Sequence, residues 1–167
     1  MLSFIQNWRR PRSPILRQVD DIRIWLPALQ RPILVELQAE EPWIRRVEVD
    51  VSPTEQVLLR LGTILSPDED LVSGVEYRNR LIAFGQNRFF GYQQLRWLVD
   101  HQDRYPVLLG LLGEVAIDGP GITVVAENGD RNIPYICKTG NRWGLHWGWP
   151  WLHSTKFDRR CRVAFAG

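Results

Sequence analysis

The residue types that can do chemistry are densest in one aromatic segment near the C-terminus. Residues 142–151 read Arg-Trp-Gly-Leu-His-Trp-Gly-Trp-Pro-Trp. If this segment is extended, strand alternation places Trp143, Trp147 and Trp149 on one face, and His146 lies between glycines on the other. The tryptophan face then has two interpretations. It is either part of the hydrophobic core or an exposed platform on which nucleic-acid bases stack.

Positive charge surrounds this aromatic segment. Residues 131–167 carry five arginines and two lysines against Asp158, a net charge of +6. Single-stranded nucleic acid needs cations for its phosphates and flat surfaces for its unstacked bases. We therefore predict a contact surface for RNA or single-stranded DNA. Its residues are Arg131, Lys138, Arg142, Trp143, Trp147, Trp149, Trp151, Lys156, Arg159, Arg160 and Arg162.

Two alternatives for the same basic residues stay open. Residues 36–70 carry nine acids and three arginines, a net charge of −6, so the C-terminal cations can pair with this acidic region within the fold or across an oligomer contact. Arginine and tryptophan are also enriched at protein interfaces. The surface can therefore bind other protein subunits of an assembly instead of nucleic acid.

A second basic segment lies at the N-terminus. Residues 1–17 contain four arginines and no acid, with little periodic apolar content to support folding on their own. We interpret them as an arm in which Trp8, Arg9, Arg10 and Arg12 either follow a phosphate backbone or dock on an acidic neighbour. The alternative is a frayed terminus.

Motifs for metal binding and catalysis are absent from the sequence. Cys137, His146, His153 and Cys161 are residue types that bind zinc, but their spacing lacks a close cysteine pair, so we predict no metal and no cofactor. The sequence contains no nucleophile elbow, phosphate-binding loop or dinucleotide fingerprint. A nucleophile or base at Cys137 or His146 would make the protein a small hydrolytic enzyme.

Composition predicts an ordinary folded protein. The chain has 167 residues, 44% of them hydrophobic and 24% charged, which suits one domain over residues 18–167 after the arm. Two cysteines fit a reducing compartment at least as well as they fit a single disulfide. No apolar run is long enough to span a membrane, and the first residues lack the charge order of a secretory signal. We expect a soluble, cytoplasmic protein without membrane contact.

Local signals in the first half predict strands and short helices. Apolar spacing indicates strands at residues 22–26, 33–37 and 44–51. The run Ser52-Pro53-Thr54-Glu55 has the pattern of a capping box and predicts a helix through Leu61. The similar run at residues 66–69 predicts a turn. For residues 75–84 the pattern is ambiguous, and we prefer a strand.

The second half has clearer signals. Helical spacing predicts a helix at residues 91–104, and residues 107–115 are expected to be buried. Asn128-Gly129 predicts a hairpin turn. Strands are expected at residues 121–126, 131–138, 142–149 and 161–166. Together these elements predict an α+β fold, with a mostly antiparallel sheet, a C-terminal β-meander and two to four helices.

These observations favour a non-enzymatic binding protein. The leading hypothesis is an accessory subunit of an assembly that contains nucleic acid and contacts RNA or single-stranded DNA through the basic, tryptophan-rich surface. The first alternative is a protein-interaction module that uses the same surface. The second alternative is the small hydrolytic enzyme.

Overall fold

The computed structural model describes residues 16–148 and 155–167 and has the predicted α+β class. The described strands are β1 (Arg17–Leu26), β2 (Ile44–Asp50), β3 (Val57–Thr63), β4 (Leu71–Ser73), β5 (Ala116–Asp118), β6 (Ile122–Ala126), β7 (Arg131–Thr139), β8 (Arg142–Gly148), β9 (Lys156–Asp158) and β10 (Cys161–Ala166). The described helices are α1 (Leu34–Glu40), α2 (Gly74–Phe84), α3 (Tyr92–Asp100) and α4 (Pro106–Leu109). Short 3-10 turns lie at Gln86–Arg88 and Gln102–Arg104.

Eight of the described strands form one sheet. Its order is β1-β3-β10-β5-β7-β6-β2. β8 lies outside this order and pairs with β7. The neighbours are antiparallel except β5 and β10, which run parallel. The meander β6-β7-β8 confirms the prediction, and Gly129 has the positive φ of 89° that its hairpin turn needs. The last strand, β10, lies inside the sheet between β3 and β5, whereas β4 and β9 form a separate pair.

The sheet carries a hydrophobic cluster on each face. Alternation along β10 divides its side chains between them: Val163 and Phe165 belong to the cluster with α2, and Ala164 belongs to the cluster with α3 and α4. A third, smaller cluster joins α1 to β2 and β6. The sheet is therefore the middle layer between helices. Backbone N–H and C=O groups without a strand partner lie at its edges.

One carboxyl group is enclosed between the sheet and α2. Asp118, on β5, accepts a hydrogen bond of 2.7 Å from the hydroxyl of Tyr77, whose ring stacks on Phe157 at 3.8 Å. Burial raises the pKa of the Asp118 carboxyl to about 7, although the hydrogen bond from Tyr77 lowers it. The core therefore contains an acid that titrates near neutral pH.

The strand predicted at residues 33–37 is wrong, because this segment begins helix α1. The carboxylate of Glu36 accepts a hydrogen bond of 2.9 Å from the backbone N–H of Ile33, which satisfies a donor at the helix start. Ile33 and Val35 are exposed, and only Leu37 is buried. The apolar run therefore does not mark a buried strand.

The helix predicted from Ser52 to Leu61 is also wrong, because residues 57–63 form strand β3. The Ser52 hydroxyl donates to Asp50 at 2.5 Å, and Glu55 accepts from the N–H of Thr54, so the reciprocal bonds of a capping box do not form. Val57, Leu59 and Leu61 are buried at the period of two that a strand has. Burial against the core overrides the local helix signal.

The strand preferred for residues 75–84 is wrong as well, since Gly74–Phe84 is helix α2. Its N-cap is Ser73, whose hydroxyl accepts from the N–H of Glu76. Tyr77 and Leu81, four residues apart, are its buried large side chains. The predicted helix at residues 91–104 is confirmed as α3 followed by a 3-10 turn.

The last two residues of the predicted arm, Leu16 and Arg17, contact the folded part of the chain. Arg17 pairs with Thr63 as the first residue of β1, and Leu16 packs against the cluster with α2. The expected buried stretch at residues 107–115 is buried only in part, because Leu108 and Val115 are buried while Val107 is 48% exposed.

None of the helices in the described part of the chain is long and apolar enough to cross a membrane.

Candidate binding site

Each arginine of the predicted contact surface is paired with a carboxylate. The N···O distances are 2.6–3.3 Å, in the pairs Arg131–Glu48, Arg142–Asp103, Arg159–Asp70, Arg160–Asp158 and Arg162–Asp20. Two of these partners, Glu48 and Asp70, belong to the acidic region 36–70 considered in the sequence. The excess of positive charge in residues 131–167 is therefore compensated locally, and little of it is left to attract a polyanion.

Trp143 belongs to the core and not to a stacking surface. Its side chain is 2% exposed, and its indole N–H donates to the carbonyl of Leu108 at 3.1 Å. The two interpretations of the tryptophan face are decided for this residue in favour of the core. A base cannot reach the Trp143 ring.

Trp147 occupies a different environment, at the boundary between core and surface. Its ring stacks on Tyr92, with centroids 5.8 Å apart and planes 14° apart. The ring of Trp43 meets it edge-on, with centroids 6.0 Å apart. Trp147 is half-buried. Part of this aromatic cluster is therefore in contact with solvent.

The two lysines come together in one cavity. Lys138 and Lys156 line a space of about 360 Å³ together with Arg160, Glu114 and Asp158, which we call the lysine cavity. Neither lysine forms an ion pair with another residue within the described ranges. Among the described cations of the predicted contact surface, these two are the ones without an ion pair.

Several predicted contact residues lie outside the described ranges. They are Trp8, Arg9, Arg10, Arg12, Trp149 and Trp151. His153, considered as a zinc ligand, also lies outside them.

A cavity lies beside strand β8, and we call it the β8 cavity. Its volume is about 590 Å³. Three aromatic residues and three acids form much of its wall: Trp43, Tyr135, Trp147, Glu41, Glu127 and Asp130. Leu145 and His146, which point to opposite faces of β8, both line it, so the cavity wraps around the edge of this strand. No arginine or lysine of the described part lines it.

Three separate parts of the chain bring these acids and aromatic rings together. The connection between α1 and β2 supplies Glu41 and Trp43, the hairpin between β6 and β7 supplies Glu127 and Asp130, and β8 supplies Trp147. The indole N–H of Trp43 donates to the Glu41 carboxylate at 2.6 Å, which orients the ring. Carboxylates beside aromatic faces attract cations, because a carboxylate is negatively charged and the face of an aromatic ring is the negative side of its quadrupole.

The geometry gives no support to a nucleophilic cysteine. Burial raises the pKa of the Cys137 thiol, and it raises that of Cys161 to about 12. A nucleophilic cysteine needs the opposite shift, toward the thiolate. The Nε2 atom of His146 lies 2.8 Å from the hydroxyl of Thr139, so this imidazole contacts a neutral partner.

Sequence reasoning missed Glu41, Trp43 and Asp130 as site residues. The sequence signal that could have found Asp130 is its position directly after the Asn128-Gly129 turn, because residues at a hairpin turn lie at the surface. Nothing in the local pattern places Glu41 and Trp43 near that hairpin. Only the pairing of β2 with β6 brings them there.

No family model, curated protein or solved structure matches this chain.

Proposed function

We propose that this protein is a non-enzymatic interaction module that binds a cationic side chain of a protein partner in the β8 cavity. The observation that carries the proposal is the wall of that cavity, with three carboxylates, three aromatic rings and no described arginine or lysine. A guanidinium fits such a wall, because it pairs with carboxylates through a planar fork and stacks on aromatic faces.

The charge distribution favours a protein partner over nucleic acid at this site. Phosphates would be repelled by Glu41, Glu127 and Asp130, whereas an arginine or lysine would be attracted. The cavity also lies at a sheet edge, where a peptide can approach. We therefore place the partner of the interaction module in the acidic, aromatic β8 cavity and not on the basic, tryptophan-rich surface.

Binding of a small arginine probe tests this proposal. We expect Nα-acetyl-arginine methylamide to change the tryptophan fluorescence on titration, because Trp43 and Trp147 line the cavity. The citrulline analogue has nearly the same shape without the charge, and it is expected to bind at least about tenfold more weakly, which corresponds to about 1.4 kcal/mol. Equal binding of the two probes would contradict a cation site.

A pair of variants locates the site. The double substitution Glu127→Gln with Asp130→Asn removes two cavity charges with little change of shape, and we expect it to weaken binding of the arginine probe about tenfold. The control is Glu114→Gln, which removes a carboxylate of the lysine cavity. If the control weakens binding as much as the double variant, the β8 cavity is not the site.

Nucleic acid is a second candidate partner, at a different place. The observation that favours it is the meeting of Lys138, Lys156 and Arg160 in the lysine cavity. We expect the double variant Lys138→Ala with Lys156→Ala to weaken binding of single-stranded RNA or DNA and to reduce its salt dependence by about one to two released ions. Undetectable binding of the unsubstituted protein to both oligonucleotides at low salt would reject this candidate.

A further inference from the structure

At Trp143, a side chain forms the backbone hydrogen bonds that a neighbouring strand would form with β8. The Gln102 amide accepts from the backbone N–H of Trp143 at 2.8 Å and donates to the carbonyl of the same residue at 3.1 Å. These are the two bonds that a further strand would make with Trp143. They show that the N–H and C=O of Trp143 point away from β7.

The same orientation continues along the strand toward the cavity. The register between β7 and β8 is unbroken, so the backbone groups of Leu145 and Trp147 point outward like those of Trp143. Pro134, opposite Trp147, agrees with this, because it has no N–H and its carbonyl accepts from Gly119 on the other side of β7. Among the described strands β8 pairs only with β7, and no backbone hydrogen bond from a described turn or loop reaches Leu145 or Trp147.

At Leu145 and Trp147, a strand edge that no described strand covers therefore coincides with the β8 cavity, which both residues line. An added strand would gain backbone hydrogen bonds from the edge and specificity from the cavity. We infer that the N-terminal arm of a second copy of this chain adds to β8 at Leu145 and Trp147 and places an arginine in the β8 cavity. This inference rests on the proposed function and names its partner.

Charge complementarity identifies the arm as the occupant. Residues 1–15 contain Arg9, Arg10 and Arg12 and no acid, whereas the cavity wall carries three carboxylates. Arg10 precedes Pro11, and the residue before a proline favours the extended conformation that strand addition needs. Pro11 also sets the register, because it cannot donate a hydrogen bond and must point away from β8. Trp8 and Arg10 then face the edge.

Distance favours a second copy over the same chain. β7 is four places from β1 in the strand order, and β8 lies one place beyond β7, so five strand spacings, about 24 Å along the sheet, separate β8 from β1. The six residues from Arg10 to Leu16 span at most about 22 Å when fully extended. Leu16 also packs on the opposite side of the sheet from Trp143, in the cluster with α2.

The first test is the oligomeric state of the full chain. We expect sedimentation equilibrium to show concentration-dependent self-association. The triple substitution of Arg9, Arg10 and Arg12 by alanine is expected to weaken it at least about tenfold, and so is Glu127→Gln with Asp130→Asn. Glu114→Gln is the control and should self-associate like the unsubstituted protein. A full chain that stays monomeric contradicts assembly through a second copy.

The second test uses a labelled peptide of residues 2–13, titrated into the full-length triple alanine variant. We expect binding, and we expect N-methylation of the peptide at Arg10 to abolish it, because that N–H faces β8. N-methylation at Arg9, whose N–H faces away, should preserve binding. Equal effects of the two methylations would overturn the strand-addition geometry.

The outcomes separate this inference from the proposed function. If the arginine probe binds the β8 cavity and the arm peptide does not, the inference fails and the proposed function stands. If neither binds, both fail. If the peptide binds the triple alanine variant while the unsubstituted chain is monomeric and excludes the peptide, the arm docks on its own chain, and the assignment to a second copy is overturned.

Discussion

Trp143→Ala is expected to lower the free energy of unfolding by about 3–5 kcal/mol. The substitution empties a large volume in the cluster with α3 and α4, where Trp143 is 2% exposed. It also leaves the Leu108 carbonyl without the indole N–H that bonds it at 3.1 Å. A domain of this size is stable by only about 5–15 kcal/mol, so the loss is a large part of the total. Urea denaturation followed by circular dichroism measures it.

Trp25 provides the matched control for this substitution. It lies on β1 with 62% of its surface exposed, so Trp25→Ala should change the free energy of unfolding by less than about 1 kcal/mol. Trp143→Phe keeps most of the ring volume and should cost about 1–3 kcal/mol, mainly through the unpaired carbonyl. This milder variant remains measurable if Trp143→Ala does not fold. Similar losses at Trp25 and Trp143 would contradict the buried position of Trp143.

Asp118→Asn is expected to flatten the pH dependence of stability between about pH 4 and pH 7. Burial raises the pKa of Asp118 to about 7 from its ordinary value of 3.8, so the folded protein holds this proton more tightly than the unfolded chain. The contribution of Asp118 to the free energy of unfolding is therefore fully present below pH 4 and is lost as the pH rises to 7. The loss is on the order of 4 kcal/mol, at about 1.4 kcal/mol per pKa unit.

Urea denaturation at a series of pH values measures this effect as the difference between the unsubstituted protein and the variant. Glu69 supplies a contrast, because its hydrogen bond from Arg80 lowers its pKa to about 2, and its stabilisation is lost as the pH falls below about 4.5. The two effects occupy different pH ranges. If Asp118→Asn leaves the slope between pH 4 and pH 7 unchanged, Asp118 is not the buried titrating group.

Sequence patterns predicted the elements whose signals are strictly local. The hairpin at Asn128-Gly129 needs only the positive φ that glycine adopts, and the strands on both sides of it follow from alternation over a few residues. Helix α3 was predictable for the same reason, because its apolar residues recur at helical spacing. The α+β class follows from these elements together.

Local signals failed where burial decided between conformations. Ser52-Pro53-Thr54-Glu55 has the residues of a helix start, but the alternation of Val57, Leu59 and Leu61 fits the face of β3 that packs into the core. In α1, the apolar run from Ile33 suggested a strand, yet most of its side chains are exposed. Helix propensity contributes a few tenths of a kcal/mol per residue to the free energy of folding, whereas burying one large apolar side chain contributes about 1.5–3 kcal/mol.

By itself, the sequence determined the fold class, the meander and the uneven distribution of arginine and tryptophan. Only the tertiary structure decided what those residues do. It placed Trp143 in the core and paired Arg131 with Glu48, which is 83 positions away in the sequence. The pairing of β2 with β6 brought Glu41 and Asp130 into the wall of the same cavity. The physical reason is that charge pairing and cavity formation depend on contacts between distant segments. Those contacts are set by the pairing of strands that lie far apart in the sequence, and no local pattern encodes that pairing.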